Sequence, residues 1–149
     1  MDTPFLGNWR KEDATSWEVV DATIYWQLVG SLMYLVNMRP GICYAVNQLS
    51  PAMVKPTKLF WKAGKHVLRY LRGVIEYGLW YRWIEGVKLQ CFMDADWAGS
   101  PSDKKSTSGG IFNIGSTTVS WYSKKQRFVA LNSAEAEYMA AHQAACEAI

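Results

Sequence analysis

The chain has 149 residues, half of them apolar and 19% charged, which suits one ordinary domain or two small ones and excludes a disordered tail. Its formal charge is only +3 at pH 7, so the placement of charge along the chain says more than the total. Cys43, Cys91 and Cys146 lie far apart with no CxxC, which argues against a secreted disulfide scaffold and for reduced thiols. The longest apolar stretch, residues 28–36, cannot span a bilayer, and the first residues lack the basic-then-apolar layout of a secretory signal. The expectation is an intracellular protein, cytoplasmic or nuclear, with no membrane partner.

Residues 1–22 carry Pro4 and Gly7 without a sustained period and read as an irregular arm. Over residues 23–37, Ile24, Leu28, Leu32, Leu35 and Val36 recur at helical spacing. Arg39 and Pro40 stop that helix, because the residue before proline is pushed out of the α region. Pro40 then opens a second helix carrying Ile42, Val46 and Leu49 as far as Ser50. A third helix is expected from Thr57, as its N-cap, to about Leu71, with Gly73 placed to end it. Beyond Gly73 the period becomes two: residues 79–84 read as a strand, Glu85-Gly86 as a turn and residues 87–94 as the partner strand. Residues 99–109 read as a long polar loop. Residues 110–114 and 118–123 form a second hairpin around Gly115-Ser116, and a last helix runs from about Asn132 to the end. Helices first and strands later make an α+β arrangement.

Lys55, Lys58, Lys62, Lys65, Arg69 and Arg72 are spaced 3, 4, 3, 4, 3, which on a helix draws one ridge along a single face. No acid interrupts the ridge, so residues 55–72 carry +6 while the rest of the chain is net −3. Phe60, Ala63, Val67, Tyr70 and Leu71 form the opposite, apolar stripe. The plain reading is a solvated amphipathic face. The sharper one is a surface for a polyanion backbone, since a ridge of one sign repels itself unless neutralised. Lys104, Lys105 and the Lys124-Lys125 pair could add phosphate contacts.

Asp94 ends the apolar run Leu89-Gln-Cys-Phe-Met-Asp94, a costly place for a carboxylate unless it is solvated, hydrogen-bonded or bound to metal. In the last helix Asn132 and Glu135 make a capping box, so Glu135 has a structural duty. Glu137 shares a row with Ala141, Ala144 and Ala148, flanked by Ala134, Ala140 and Ala145. An alanine face suits close packing on a sheet, and Glu137 is the acid expected to enter that contact and meet Asp94. Paired carboxylates suit Mg²⁺ or Mn²⁺; otherwise Glu137 turns to solvent and Asp94 caps a turn. His142 and Cys146, at i and i+4, form half a zinc site without further partners.

These strings resemble the Pol polyprotein of copia-type LTR retrotransposons. The resemblance is carried by Leu28-Val-Gly-Ser-Leu-Met-Tyr-Leu35, Cys43-Tyr-Ala-Val-Asn47 and His66-Val-Leu-Arg-Tyr-Leu-Arg-Gly73. It continues through Asp94-Ala-Asp-Trp-Ala-Gly99, Ser106-Thr-Ser-Gly-Gly110 and Ser133-Ala-Glu-Ala-Glu-Tyr-Met-Ala-Ala141, in family order. It implies that residues 23–84 correspond to the thumb and connection at the end of reverse transcriptase. Residues 85–149 would be the N-terminal half of a ribonuclease H-like domain. It implies further that Asp94 and Glu137 are metal ligands and catalytic residues of a site whose remaining carboxylates lie downstream. The intact relative would use Mg²⁺ or Mn²⁺ to cleave the RNA of an RNA–DNA hybrid, with Lys58, Lys62, Lys65, Arg69, Arg72, Lys104 and Lys105 along the nucleic-acid backbone.

For this chain the resulting expectation is a truncated fragment with weak metal binding or none. It would meet a hybrid or other nucleic acid, the rest of the Pol polyprotein, or a second copy across an open sheet edge. The alternatives are a non-catalytic nucleic-acid-binding module and an inert or protein-interacting relic. Gly41 and Gly64 depart from the family's pattern, and Gly64 inside the basic helix should cost about 1 kcal/mol relative to alanine.

Overall fold

The computed structural model describes residues 3–5, 18–83, 85–86, 88–100 and 102–149. Most of the expected arm, and positions 84 and 87 of the first expected hairpin, lie outside the described residues. The chain divides into two compact units, Met1–Gly78 and Leu79–Ile149.

The first unit holds α1 (Ala22–Val36), α2 (Cys43–Leu49) and α3 (Lys58–Gly73), with 3₁₀ turns at Pro40–Ile42 and Ser50–Ala52. Asp21 caps α1, its carboxylate accepting from the Thr23 amide at 2.7 Å. The buried row of α1 is Tyr25, Val29 and Leu32. Ile24, expected in that row, is instead half exposed. Tyr25 takes the core position because its hydroxyl donates to the Leu49 carbonyl at 2.9 Å, which satisfies the buried phenol. Ile42, Val46, Leu49, Ala63 and Val67 complete the core, the large aliphatic ones contributing about 1.5–3 kcal/mol each.

One expectation for α3 needs correction. Thr57 stands at the N-cap, but its side chain makes no capping bond; Lys58 N–H instead donates to the Glu18 carbonyl at 2.9 Å, beside the Val19–Thr57 bridge. The helix ends at Gly73, as expected, with Val74 as its C-cap. Its end is held by Arg39, whose guanidinium donates to the carbonyls of Val74 (3.1 Å) and Ile75 (2.9 Å). Gly64 has a packing role: a Cβ there would stand 2.9 Å from Leu28 Cδ2, so the missing side chain lets α1 and α3 approach closely.

In the second unit β1 (Leu89–Asp96), β2 (Thr107–Ile114) and β3 (Thr117–Lys125) form one antiparallel sheet in the order β1-β2-β3, and α4 (Ser133–Ala148) follows. The architecture is α+β, as the order of elements implied. The β2–β3 hairpin turns at Gly115, whose φ of +63° is in the left-handed region that glycine tolerates. The other expected hairpin is absent among the described residues, because residues 79–83 pair with no strand. Trp80 and Trp83 stay exposed, and the Trp80 carbonyl accepts from the Thr117 hydroxyl instead of entering a ladder. Alternation supplies strand propensity, but without a ladder it does not make a strand. The polar loop is shorter than expected: Thr107 and Ser108 are already in β2 and buried.

Cross-strand neighbours share a face of a sheet. Ala95 lies opposite Ser108, Met93 opposite Gly110, and Gly110 opposite Tyr122. This is the side covered by α4, because Gln126 Nε2 donates both to Ser108 Oγ and to the Ala136 carbonyl, each at 2.9 Å. A Cβ on Gly110 would stand 2.4 Å from Tyr122 Cε1, and the Tyr122 hydroxyl is buried with no hydrogen-bond partner among the described residues. Gly110→Ala should therefore cost about 1–3 kcal/mol by overpacking, read as a lowered thermal midpoint of the second unit. An unchanged midpoint would mean that the Tyr122 ring moves aside freely. Among the described residues no helix is long and apolar enough to cross a membrane.

Candidate nucleic-acid interface and carboxylate pair

α3 is built as two faces. Ala63, Gly64 and Val67 are buried, and Phe60, Trp61, Tyr70 and Leu71 pack around them. On the other side Lys58, Lys62, Lys65, Arg69 and Arg72 are all exposed, and Lys55 just before the helix is exposed too. Burying the apolar stripe thus fixes the rotation of the helix and turns the basic ridge to solvent. Lys58 pairs with Glu18, so the ridge is partly balanced at its start. Lys65 Nζ sits 5.1 Å from the centre of the Trp61 ring, a cation–π contact that holds the ammonium on this face. Arg39, which sequence reasoning used only as a helix stop, anchors the far end of the ridge. Nothing in its spacing announces that role.

Lys104 and Lys105 lie on the loop before β2, in a tight arrangement. Ser100 N–H donates to the Lys105 carbonyl (3.1 Å), and Lys104 N–H donates to the Ser100 carbonyl (2.9 Å). Lys104 adopts a positive φ of 56° and is exposed, while Lys105 is half-buried. Lys125 Nζ pairs with Asp103 Oδ1 at 2.8 Å and donates to Ser100 Oγ at 2.9 Å. The hydrogen bond from Lys125 holds the Asp103 carboxyl well below the usual carboxylate range. The sign follows: this tie contributes above the ordinary carboxylate pKa and is lost only as pH falls far into acid. Because the pair is exposed, its share of stability is small.

Asp94 is exposed, on β1 opposite Gly109. The register therefore places it on the sheet face away from the row that α4 covers. On α4 the buried row is Ala136, Ala140 and Ala144, rotated from the row expected through Glu137. Glu137 is half-buried on the flank, beside half-buried Ala141, and Ala134, Ala145 and Ala148 are exposed. The helix turns this way because its start is fixed twice. Asn132 Oδ1 accepts from the Glu135 amide at 2.9 Å, and Glu135 Oε2 accepts from the Leu131 amide at 2.6 Å; the box closes one residue further back than its simplest form. Asp96, half-buried, spends its carboxylate on the Thr107 amide.

Among the described residues no three of His, Cys, Asp and Glu gather where they could hold a metal ion. His142 Nε2 and Cys146 Sγ do approach, at 3.8 Å, beside an open groove also lined by Ser108, Lys124, Gln126 and Arg127. Among the described residues no third ligand of those types joins them.

No family model matches the chain, and no solved structure does. Curated proteins do. The chain is 47% identical over 118 residues to the retrovirus-related Pol polyprotein from transposon RE2 of Arabidopsis thaliana, covering 79% of this chain and 8% of that one. It is 41% identical over 126 residues to the corresponding polyprotein from transposon TNT 1-94 of Nicotiana tabacum, covering 84% of this chain and 9% of the relative. It is also 46% identical over 126 residues to secreted RxLR effector protein 161 of Plasmopara viticola, a match covering 84% of this chain and 89% of that relative. The chain thus spans less than a tenth of the length of the Pol polyproteins it matches, yet nearly all of a short relative. The chain belongs to the Pol polyprotein family of copia-type retrotransposons.

Proposed function

We propose that the chain is a nucleic-acid-backbone-binding segment derived from the junction of reverse transcriptase and ribonuclease H, without hydrolytic activity of its own. The observation that carries the reading is the α3 ridge: five exposed cations on one face of the helix, preceded by exposed Lys55, with no acid in the sequence between them, in a family whose relatives are named as retrovirus-related Pol polyproteins. A ridge of one sign gains free energy by releasing counterions from a phosphate backbone and carries no base readout. In this reading the first unit derives from the thumb and connection, and the second from the opening half of a ribonuclease H-like domain. The ancestral role is cleavage of RNA in RNA–DNA hybrids.

Asp94 and Glu137 are the proposed remnants of the metal site. Mg²⁺ or Mn²⁺, when held by a full carboxylate set, would activate water and stabilise the leaving oxygen. Here the fit is poor. Asp94 lies on the face away from the α4-covered row, Glu137 on the flank of α4, and the described residues supply no larger cluster. On this placement the two carboxylates do not converge on one ion, and no reaction step is assigned to them.

The test is fluorescence anisotropy with a labelled RNA–DNA hybrid over a salt series, with gel analysis of the same samples in Mg²⁺. The expected result is binding that weakens steeply with salt and an intact RNA strand. Salt-insensitive binding, or none at low salt, would contradict the backbone reading. RNA cleavage that disappears in Asp94→Asn would contradict the inactive one.

A further inference from the structure

We propose that His66 is a proton-gated phosphate contact on the flank of the α3 ridge, so that binding a nucleic-acid backbone takes up a proton. The inference deepens the backbone-binding reading and rests on it. His66 follows Lys62 by four residues and precedes Arg69 by three. Residues at those spacings are neighbours on a helix surface, about 5–6 Å apart at Cβ. A phosphate drawn to Lys62 and Arg69 therefore comes within reach of the imidazole between them. The ring is half-buried, and its Nε2 lies 3.1 Å from the Thr3 carbonyl oxygen.

That bond settles which nitrogen carries the proton. A carbonyl only accepts, so Nε2 is the donor, and in the neutral ring Nδ1 is then a bare acceptor. Among the described residues the Thr3 carbonyl is the ring's one hydrogen-bond partner, and no carboxylate pairs with it. A phosphate oxygen also only accepts, so the neutral ring offers it nothing at Nδ1. A proton on Nδ1 turns the same atom into a charged donor without breaking the bond to Thr3. Imidazole is the side chain that makes this change between about pH 5 and 8. The charged groups around His66 on its own helix are Lys62, Lys65 and Arg69, which draw an anion toward it. Glu18, the acid that reaches α3 from the preceding segment, is spent on Lys58. Lys58 stands eight residues back, about 12 Å along the helix axis. A phosphate is therefore the counter-ion left for the imidazolium.

Anisotropy titrations of the full chain with the RNA–DNA hybrid at about pH 5.5 and about pH 7.5, each over a salt series, test the proposal. In the wild type the lower pH should tighten binding by about five- to tenfold near about 0.1 M salt and steepen the log–log slope by about 0.9, one added phosphate contact. His66→Gln keeps a donor for the Thr3 carbonyl but has no charge to gain, and should bind alike at both pH values. His66→Arg carries the charge permanently, so at the higher pH it should match the wild type at the lower. His142→Gln, which removes the other histidine, should behave as the wild type. A pH dependence that survives in His66→Gln would belong to another group, the α-amino terminus for one, and would overturn the proposal. So would His66→Arg with no gain at the higher pH. Binding that weakens with salt yet is indifferent to pH would overturn this inference and leave the backbone reading standing. Absence of any salt-dependent binding would overturn both.

Discussion

Replacing Lys62, Lys65 and Arg69 together by alanine is expected to abolish measurable hybrid binding near physiological salt while leaving the helices intact. All three side chains are exposed on the face of α3 opposite its buried stripe, so their removal creates no cavity. With about five phosphate contacts, the log–log salt slope of the parent should be near −4.5, roughly a 500-fold loss between 50 and 200 mM. Removing three contacts should bring the slope to about −1.8. The single variants grade the claim, each reducing the slope by about 0.9 without changing preference among sequences. Anisotropy titrations at four or five salt concentrations read both quantities. A triple variant with an unchanged slope would remove the ridge from the interface.

The second large effect lies in the core of the first unit. Tyr25→Ala should cost about 3–5 kcal/mol, because it empties a fully buried position and strips the Leu49 carbonyl of its donor. Tyr25→Phe keeps the ring and loses only the hydrogen bond, about 1–2 kcal/mol. Chemical denaturation followed by helix content separates the two. Burial also pushes the Tyr25 hydroxyl above the ordinary tyrosine range. The unfolded chain then releases that proton first as pH rises, so the contribution is intact below about pH 10 and declines above it. Tyr25→Phe should flatten this alkaline decline, whereas an unaltered pH profile would place the loss elsewhere.

Helix periodicity was legible from the residues because each helix buries one stripe, and the stripe on α3 fixed which way its cations point. What the sequence hid was tertiary. Tyr25 displaced Ile24 from the core because a carbonyl on another helix was available to it. Gly64, read as a cost to helix propensity, serves a close approach to Leu28. Residues 79–83 alternate like a strand and form none, since pairing depends on a neighbour that local pattern cannot specify. The candidate site followed the same division. The ridge could be read from spacing alone. The rotation of α4 depended on the bonds at Asn132 and Glu135, and the face of Asp94 on strand register, which a single-residue slip would reverse.

The most direct test of the account is amide hydrogen exchange on the full chain with and without an RNA–DNA hybrid. The account predicts that the hybrid protects α3 and the residues at its ends, with lesser changes at the Lys104-Lys105 loop. Protection confined to the second unit, with α3 exchanging as in the free chain, would contradict it.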